Sequence, residues 1–426
     1  MKYYFLIILL IFIGRLSLNA QDKIPKKLTV FIDCSNTYCD MMFTRTEINV
    51  VDFLLDRVAA DVHVLITSLR NGSGGRQYQM IFYGQNSFKQ TRDTLRFVTD
   101  PNATDFELRD KMLNYIKLGL APLVAKTNQA ERISISMKAE ATTDSAQNSY
   151  QTKDKWNYWS FRVGSNGNIN MDQVYKTSEL WGNFRFNRTT DDWKVSFGFF
   201  GGQEKSSYEY DTDSGPLEVV VKNRNYSFEH TLVKSINAHW SYGYQLSFLN
   251  NTFTNYKSKV YILPQVEYSF FPYKDVNNRF VTIRYGIGPQ RNVYYDTTIY
   301  RKTDEMLLGH NAELNISFNQ KWGTINTGIS YRNYFHDWKI NNLGLATQME
   351  VRVTGGLSFY VYLFGGLVHD QIYLPGEGAT GEEVLSRTRQ LQSSYNFQTF
   401  FGINYRFGTK LNNFVNPRFN STFDDF

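Results

Sequence analysis

From Trp156 to Gly408 the chain alternates between apolar and polar residues with a period of two, the repeat of an extended strand whose faces meet different surroundings. The last segment shows it most plainly. Tyr395, Phe397, Thr399, Phe401, Ile403, Tyr405 and Phe407 fall on one side of such a strand, and Asn396, Gln398, Phe400, Gly402, Asn404, Arg406 and Gly408 on the other. The pattern recurs in Trp193-Val195-Phe197-Phe199, Trp240-Tyr242-Tyr244-Leu246-Phe248 and Val281-Ile283-Tyr285-Ile287. It recurs again in Ala312-Leu314-Ile316-Phe318 and Leu343-Leu345-Thr347-Met349-Val351-Val353. Strand starts are expected near Trp156, Glu179, Asp192, Asn223, Ala238, Lys259, Arg279, His310, Gly323, Asn342, Gly356 and Ser393. That gives about twelve strands of roughly ten residues, the even number that a single-chain bacterial barrel requires. Connections are short at 189–192, 235–237, 321–323 and 354–356, and long at 203–222, 293–308 and 370–392. Short turns belong on the periplasmic side and long loops outside, which places what precedes and follows residues 156–408 in the periplasm.

The region 26–137 has a different rhythm and predicts a small α/β domain. Residues 28–32 (Leu-Thr-Val-Phe-Ile) form a β-rich run ending in a polar loop that holds Cys34 and Cys39. Thr44 and Glu47 have capping-box spacing, and Ile48, Val51, Leu55 and Val58 repeat at helical intervals. Residues 61–67 and 77–83 predict a hairpin around the turn at 71–75, and 95–98 another strand. A second capping box, Thr104 and Glu107, opens a helix with Leu108, Met112, Ile116 and Leu123 on one face, and 131–137 predict a last strand. Residues 138–155, rich in Ala, Thr, Ser, Gln and Lys, form a linker.

Composition sharpens this picture. Mean hydropathy is −0.42, as in a soluble protein, yet 29 Tyr, 33 Phe and 7 Trp make 16% of the chain aromatic. Membrane barrels use such rings in girdles at both interfaces. The net charge of +6 is too weak and too dispersed to indicate nucleic acid as a partner. Lys2, the apolar run 3–14 and the small residue Ala20 have the pattern of a signal peptide over 1–20. No later stretch is long and apolar enough to span a bilayer as a helix, so any insertion must be by strands. The expected fold is therefore an α+β periplasmic domain (26–137) followed, after the 138–155 linker, by an antiparallel transmembrane β-barrel (156–408) of about twelve strands and a periplasmic tail (409–426).

The non-lipid face is expected to carry Arg162, Arg185, Glu229, Glu267, Arg284, Glu313, Arg332, Glu350, Arg352 and Arg406 inside the barrel. Interior salt bridges that fill the barrel, and a polar path for a small solute, both fit that set. Chemistry-bearing motifs are otherwise sparse. Cys34 and Cys39 point to a local disulfide in an oxidising periplasm. Together with Asp33 and Asp40 they are a poor zinc set, because a structural zinc site wants four N/S ligands. Gly72–Gly75 lacks the Lys-Ser/Thr of a phosphate loop, and Asp211-Thr-Asp213-Ser-Gly215 lacks the ligand spacing of a calcium loop. His63, His230, His239, His310, His336 and His369 are scattered, and His230 has no convincing serine partner for a lipid hydrolase. No catalytic residue, metal or cofactor is expected.

Asp33-Cys34 with Cys39-Asp40, then Arg45-Thr-Glu-Ile48, then residues 56–67, together with Pro264-Gln-Val-Glu-Tyr-Ser-Phe-Phe-Pro-Tyr273, resemble an uncharacterised group of bacterial outer-membrane barrel proteins. The helix followed by a hairpin is similar to the N-terminal domain of the periplasmic TolB protein and to the curli-secretion pore subunit. The resemblance implies a periplasmic module that binds protein, and it carries over no catalytic residue. The expected function is a non-enzymatic outer-membrane protein whose barrel sits among outer-membrane lipids and anchors a module that docks a periplasmic or outer-membrane protein partner. The alternatives are a solute channel gated or plugged by the N-terminal domain and, more weakly, an outer-membrane hydrolase.

Overall fold

The computed structural model describes residues 27–34, 37–71, 74–135, 154–212, 215–354, 356–376, 390–405 and 407–408. The expected signal peptide, most of the expected linker, Arg406 and the expected tail lie outside the described residues.

The α/β domain is built from β1 (Leu28–Cys34), α1 (Met41–Glu47), β2 (Val51–Phe53), β3 (Val62–Arg70), β4 (Arg76–Gly84), β5 (Arg92–Thr99) and α2 (Asp105–Val124). Its sheet runs β2-β1-β3-β4-β5, with β1 parallel to both neighbours and the rest antiparallel. The Thr104/Glu107 capping box forms as the spacing predicts, each partner satisfying a free backbone N–H at the start of α2. Met112, Leu113, Ile116, Leu120 and Leu123 then bury against Val62, Val64, Ile66, Tyr78, Met80 and Phe82.

Two expectations fail here. The helix predicted over 44–58 is only the short α1, capped by the Asp40 side chain, which accepts from the Phe43 N–H. Residues beyond it turn into β2 because Val51, Asp52 and Phe53 find backbone partners in Leu28, Thr29 and Val30. Ile48 and Val51 reach the core by this route, and Val58 is exposed. Helical spacing alone could not exclude the ladder. The strand expected at 131–137 is a 3-10 turn at Ala130–Arg132 followed by irregular chain to Ile135, with 136–137 outside the described residues.

Beyond residue 154 lie twelve strands, each antiparallel to the next: β6 (Trp159–Met171), β7 (Tyr175–Thr189), β8 (Trp193–Thr212), β9 (Gly215–Ser235), β10 (Trp240–Asn251), β11 (Tyr256–Ser269), β12 (Arg279–Tyr294), β13 (Asp304–Gln320), β14 (Gly323–Tyr334), β15 (Asp337–Arg352), β16 (Leu357–Val368) and β17 (Tyr395–Tyr405). Among the described residues no helix is long and apolar enough to cross a membrane. The sheet is not closed: among the described residues no ladder joins β17 to β6, so both remain edge strands. Alternation encodes which face a residue takes, and it is silent on whether two edges meet.

Loop lengths also differ from expectation. The supposed long loop 203–222 is mostly paired strand, with β8 and β9 matched rung by rung out to Thr212 and Gly215. The 293–308 connection shrinks to 295–303. Both stretches break the two-residue alternation, and backbone ladder bonds continue where that pattern stops. Conversely, the connection 270–278 at the opposite end is longer than a tight turn.

The registers sort side chains onto two faces. Phe397, Gly365, Leu345, Ile329, Leu314, Ile283, Tyr268 and Trp240 form one continuous cross-strand row. The adjacent row, on the other face, reads Asn396, Gly366, Gly344, Ser330, Glu313, Arg284, Glu267 and Ser241.

Candidate docking site between the α/β domain and the sheet

Strand β3 is buried along both faces, from Val62 through Ser68. Helix α2 covers only the face of Val62, Val64 and Ile66. His63, Leu65 and Thr67 on the other face are each no more than 3% exposed, as are their cross-strand neighbours Gln79 and Ile81 on β4 and Asp33 on β1. Contacts to that second face come from one end of the twelve-stranded sheet, the end holding the β11–β12, β13–β14 and β15–β16 connections.

Arg352, the last residue of β15, makes a two-pronged pair with Asp33: Nη2 donates to Oδ1 at 2.7 Å and Nη1 to Oδ2. His63 Nε2 lies 3.0 Å from the same Oδ2. A carboxylate can only accept, so this nitrogen carries the proton. Asp33 and His63 are almost wholly buried, and the Arg352 side chain keeps 18% exposure. Around this centre, Gln79 Nε2 donates to Asn278 Oδ1 at 2.7 Å, and Arg96 Nε fixes the other end of the Gln79 amide at 2.9 Å. Arg57 donates to the Lys321 carbonyl, and the Lys321 ammonium sits 3.6 Å above the Tyr83 ring.

The electrostatics follow from burial. Burial alone would raise the Asp33 carboxyl, but hydrogen bonds from His63 and Arg352 outweigh it and hold the group below the ordinary carboxylate range. For His63 burial dominates over Asp33 and pushes the imidazole down, so it is neutral at neutral pH. The arrangement is a buried charge pair, completed across two domains and oriented by a neutral histidine. One carboxylate and one imidazole make no metal set, and among the described residues no group of three His, Cys, Asp or Glu stands close enough to hold a metal. Cys34 and Cys39 form a disulfide that ties the end of β1, next to Asp33, to the residue before the α1 cap.

The registers place nine of the ten charged residues singled out from the sequence on one face. Arg162, Arg185 and Glu229 lie along the row that runs through Gly198 to Ser247. Glu267, Arg284 and Glu313 are successive neighbours on β11, β12 and β13. Arg332, Glu350 and Arg352 share the parity of Ser330 and Gly344. Only some of them meet: Arg284 pairs with Glu313, while Arg352 turns to Asp33 and lies 3.8 Å from Glu350. Arg162 and Arg185 instead face each other beside a cavity of about 1070 Å³ that also touches Arg70 and Lys194.

At the other end of the sheet the charged face is covered from within the chain. Ile372 and Leu374 are buried, Ile299 N–H donates to the Leu374 carbonyl at 2.9 Å, and Asn255 Nδ2 to the Tyr373 carbonyl at 2.9 Å. Beneath them Gln290 bonds Asn292 at 2.9 Å and Tyr334 at 3.2 Å, and Asn292 bonds Tyr294 at 3.0 Å.

Sequence reasoning placed Arg352 on the right face without its partner, and it passed over Asp33 and His63 as a pair. A histidine inside Val62-His63-Val64-Leu65-Ile66 was the available signal, since an apolar run so continuous implies burial on both faces. His230 lies on the apolar face, between the Ser196 carbonyl and the Tyr244 hydroxyl, each 3.1 Å away. Compared with protein-family models and with curated protein sequences, the chain matches none.

Proposed function

We propose that this chain is a non-enzymatic outer-membrane protein whose twelve strands span the bilayer and whose α/β domain is docked beneath them in the periplasm. The observation that carries the reading is the exposed apolar face of the sheet. Ile283, Leu345, Phe397, Phe401 and Ile403 are 37–72% exposed, on the face opposite the charged row. An apolar surface of that extent needs a covering, and lipid covers a sheet only when every backbone group is paired. In this reading β17 therefore meets β6 near Trp159, Phe161 and Val163 and closes the barrel, with the charged face inside.

The Asp33–Arg352 pair and its surrounding contacts support a domain held against the periplasmic mouth, where it can dock a protein partner at the exposed surface of α2. The channel alternative receives less support, because the charged face is covered by the docked domain at one end and by residues 369–376 at the other. Closure is tested by cysteine pairs: Phe161 or Val163 on β6 against Phe401 or Ile403 on β17, in the full chain inserted in vesicles. One register should cross-link in high yield and shift heat-modifiable migration on a gel. Absence of any cross-link in protein that is protected by vesicles would discard the closed barrel.

A further inference from the structure

Strands β8 and β9 are 20 and 21 residues long, about twice the 9–11 residues a spanning strand needs. Along their outward face the first rungs are aromatic: Phe197 opposite His230, Phe199 opposite Phe228, then Gly201 opposite Tyr226. Within the next two rungs the chemistry changes. Gln203 stands opposite Arg224, and Lys205 opposite Lys222. Trp193 opens β8, and Lys205 is twelve residues further on. At a rise of about 3.3 Å per residue and a tilt of about 40°, that is roughly 30 Å along the membrane normal, just past an apolar band of about 25 Å. The basic rungs thus fall at headgroup height.

They also line a groove of about 610 Å³, together with Ser178, Leu180 and Gln203. Lys205 and Lys222 face each other directly, which is unfavourable without an anion between them. Among the described residues neither they nor Arg224 makes an ion pair. Glu204 borders the groove, but its carboxylate is taken up on the other face by Ser206 at 3.1 Å and Asn223 at 3.4 Å. The next acids outward, Glu209 and Glu218, lie two rungs further on, and Ser207 bonds Glu218 at 2.6 Å. Arg224 is held in place: Nη2 donates to the Tyr295 hydroxyl at 3.3 Å, and that hydroxyl accepts from Asn250 at 2.7 Å.

We propose that this groove binds the phosphate groups of an anionic lipid of the outer leaflet, with Lys205, Lys222 and Arg224 as phosphate ligands and Leu180 and Tyr226 beside the first acyl carbons. The inference rests on the outer-membrane reading above. The test uses the full chain in non-ionic detergent, with bis-phosphorylated lipid A as probe, the same glycolipid stripped of phosphate as control, and pyrophosphate as competitor. Each basic residue at an anionic surface contributes on the order of a fewfold in affinity, so Lys205→Glu with Lys222→Glu should weaken lipid A binding by at least about tenfold. Arg224→Gln should weaken it less, and heat-modifiable migration should be unchanged in both. The phosphate-free glycolipid should bind as poorly to the native chain as lipid A binds to the double variant. Equal lipid A binding by native and double-variant protein overturns the proposal, and so does equal binding of the phosphate-free lipid. Displacement by pyrophosphate at a concentration matching lipid A would assign the groove to a free anion and overturn the lipid assignment. Failure of the native chain to insert into vesicles strikes instead at the outer-membrane reading, so the two failures are distinguishable.

Discussion

At the scale of single residues, the buried pair across the domain boundary is where the largest effects are expected. Removing one partner leaves an uncompensated buried charge, a loss of about 3–5 kcal/mol. Arg352→Ala should therefore release the α/β domain, seen as a lower melting transition and faster proteolysis within 28–124. The combined variant Asp33→Asn, Arg352→Gln should lose clearly less. An Arg352→Ala domain that melts with the native one would reject the interface. The pH dependence follows from the same residues. The folded state lowers His63 from its ordinary 6.5, so protonation costs nothing above that value and increasingly destabilises the dock below it. Asp33 is also lowered, so its contribution is complete above the ordinary 3.8 and is lost only as pH falls through the folded value. Melting followed from about pH 8 to about pH 5 should show the α/β transition falling in the lower half of that range, and His63→Gln should flatten the fall. A second residue-scale prediction concerns Gly119 in α2. A β-carbon there would collide with the Phe82 ring, so Gly119→Ala should cost about 1–3 kcal/mol although alanine favours helix. Unchanged denaturant stability of that variant would show that the helix can move away from the sheet.

At the scale of elements, β17 is the decisive strand. In the proposed barrel Phe401 faces lipid near the midplane and Asn404 faces inward. Phe401→Arg should then cost about 2–4 kcal/mol of folding free energy in vesicles, with Asn404→Arg much milder. Heat-modifiable migration across a urea series measures both. A silent Phe401→Arg beside a damaging Asn404→Arg would mean that the faces are inverted. The strand's faces were legible from its alternation, and so were the α2 cap and the β3–β4 hairpin. The ends of β8 and β9 were not. Their outer rungs set Ser206, Ser207 and Tyr208 opposite the run Val219–Val221, with no alternation that marks a face, and such rungs read as loop until a neighbouring strand supplies the hydrogen bonds.

At the scale of the whole molecule, both ends of the charged face are occupied. The α/β domain stands at one end, and the Ile372–Leu374 segment stands at the other over the Gln290–Asn292–Tyr294 network. The intact chain in planar bilayers should therefore show no steady conductance. Deleting 28–135 should still give none, because the far end stays covered, whereas a further deletion of 369–376 should open a conducting path. Steady conductance in the native chain would favour the solute-channel alternative and argue against a filled interior.

What the sequence determined by itself is local and periodic: which residues extend, which face each takes, where α2 starts, and that nine of the charges share a side. Those properties follow from the two-residue repeat and from capping chemistry, which need only near neighbours along the chain. The tertiary structure alone decided what meets across long separations. Val51 left a helical pattern because β1 offered it a ladder, and Arg352 found Asp33 across 319 positions of sequence. His63 became a buried neutral base only when a second domain closed over its face. Such contacts depend on three-dimensional proximity and desolvation, and neither is written in the spacing of residues along one strand.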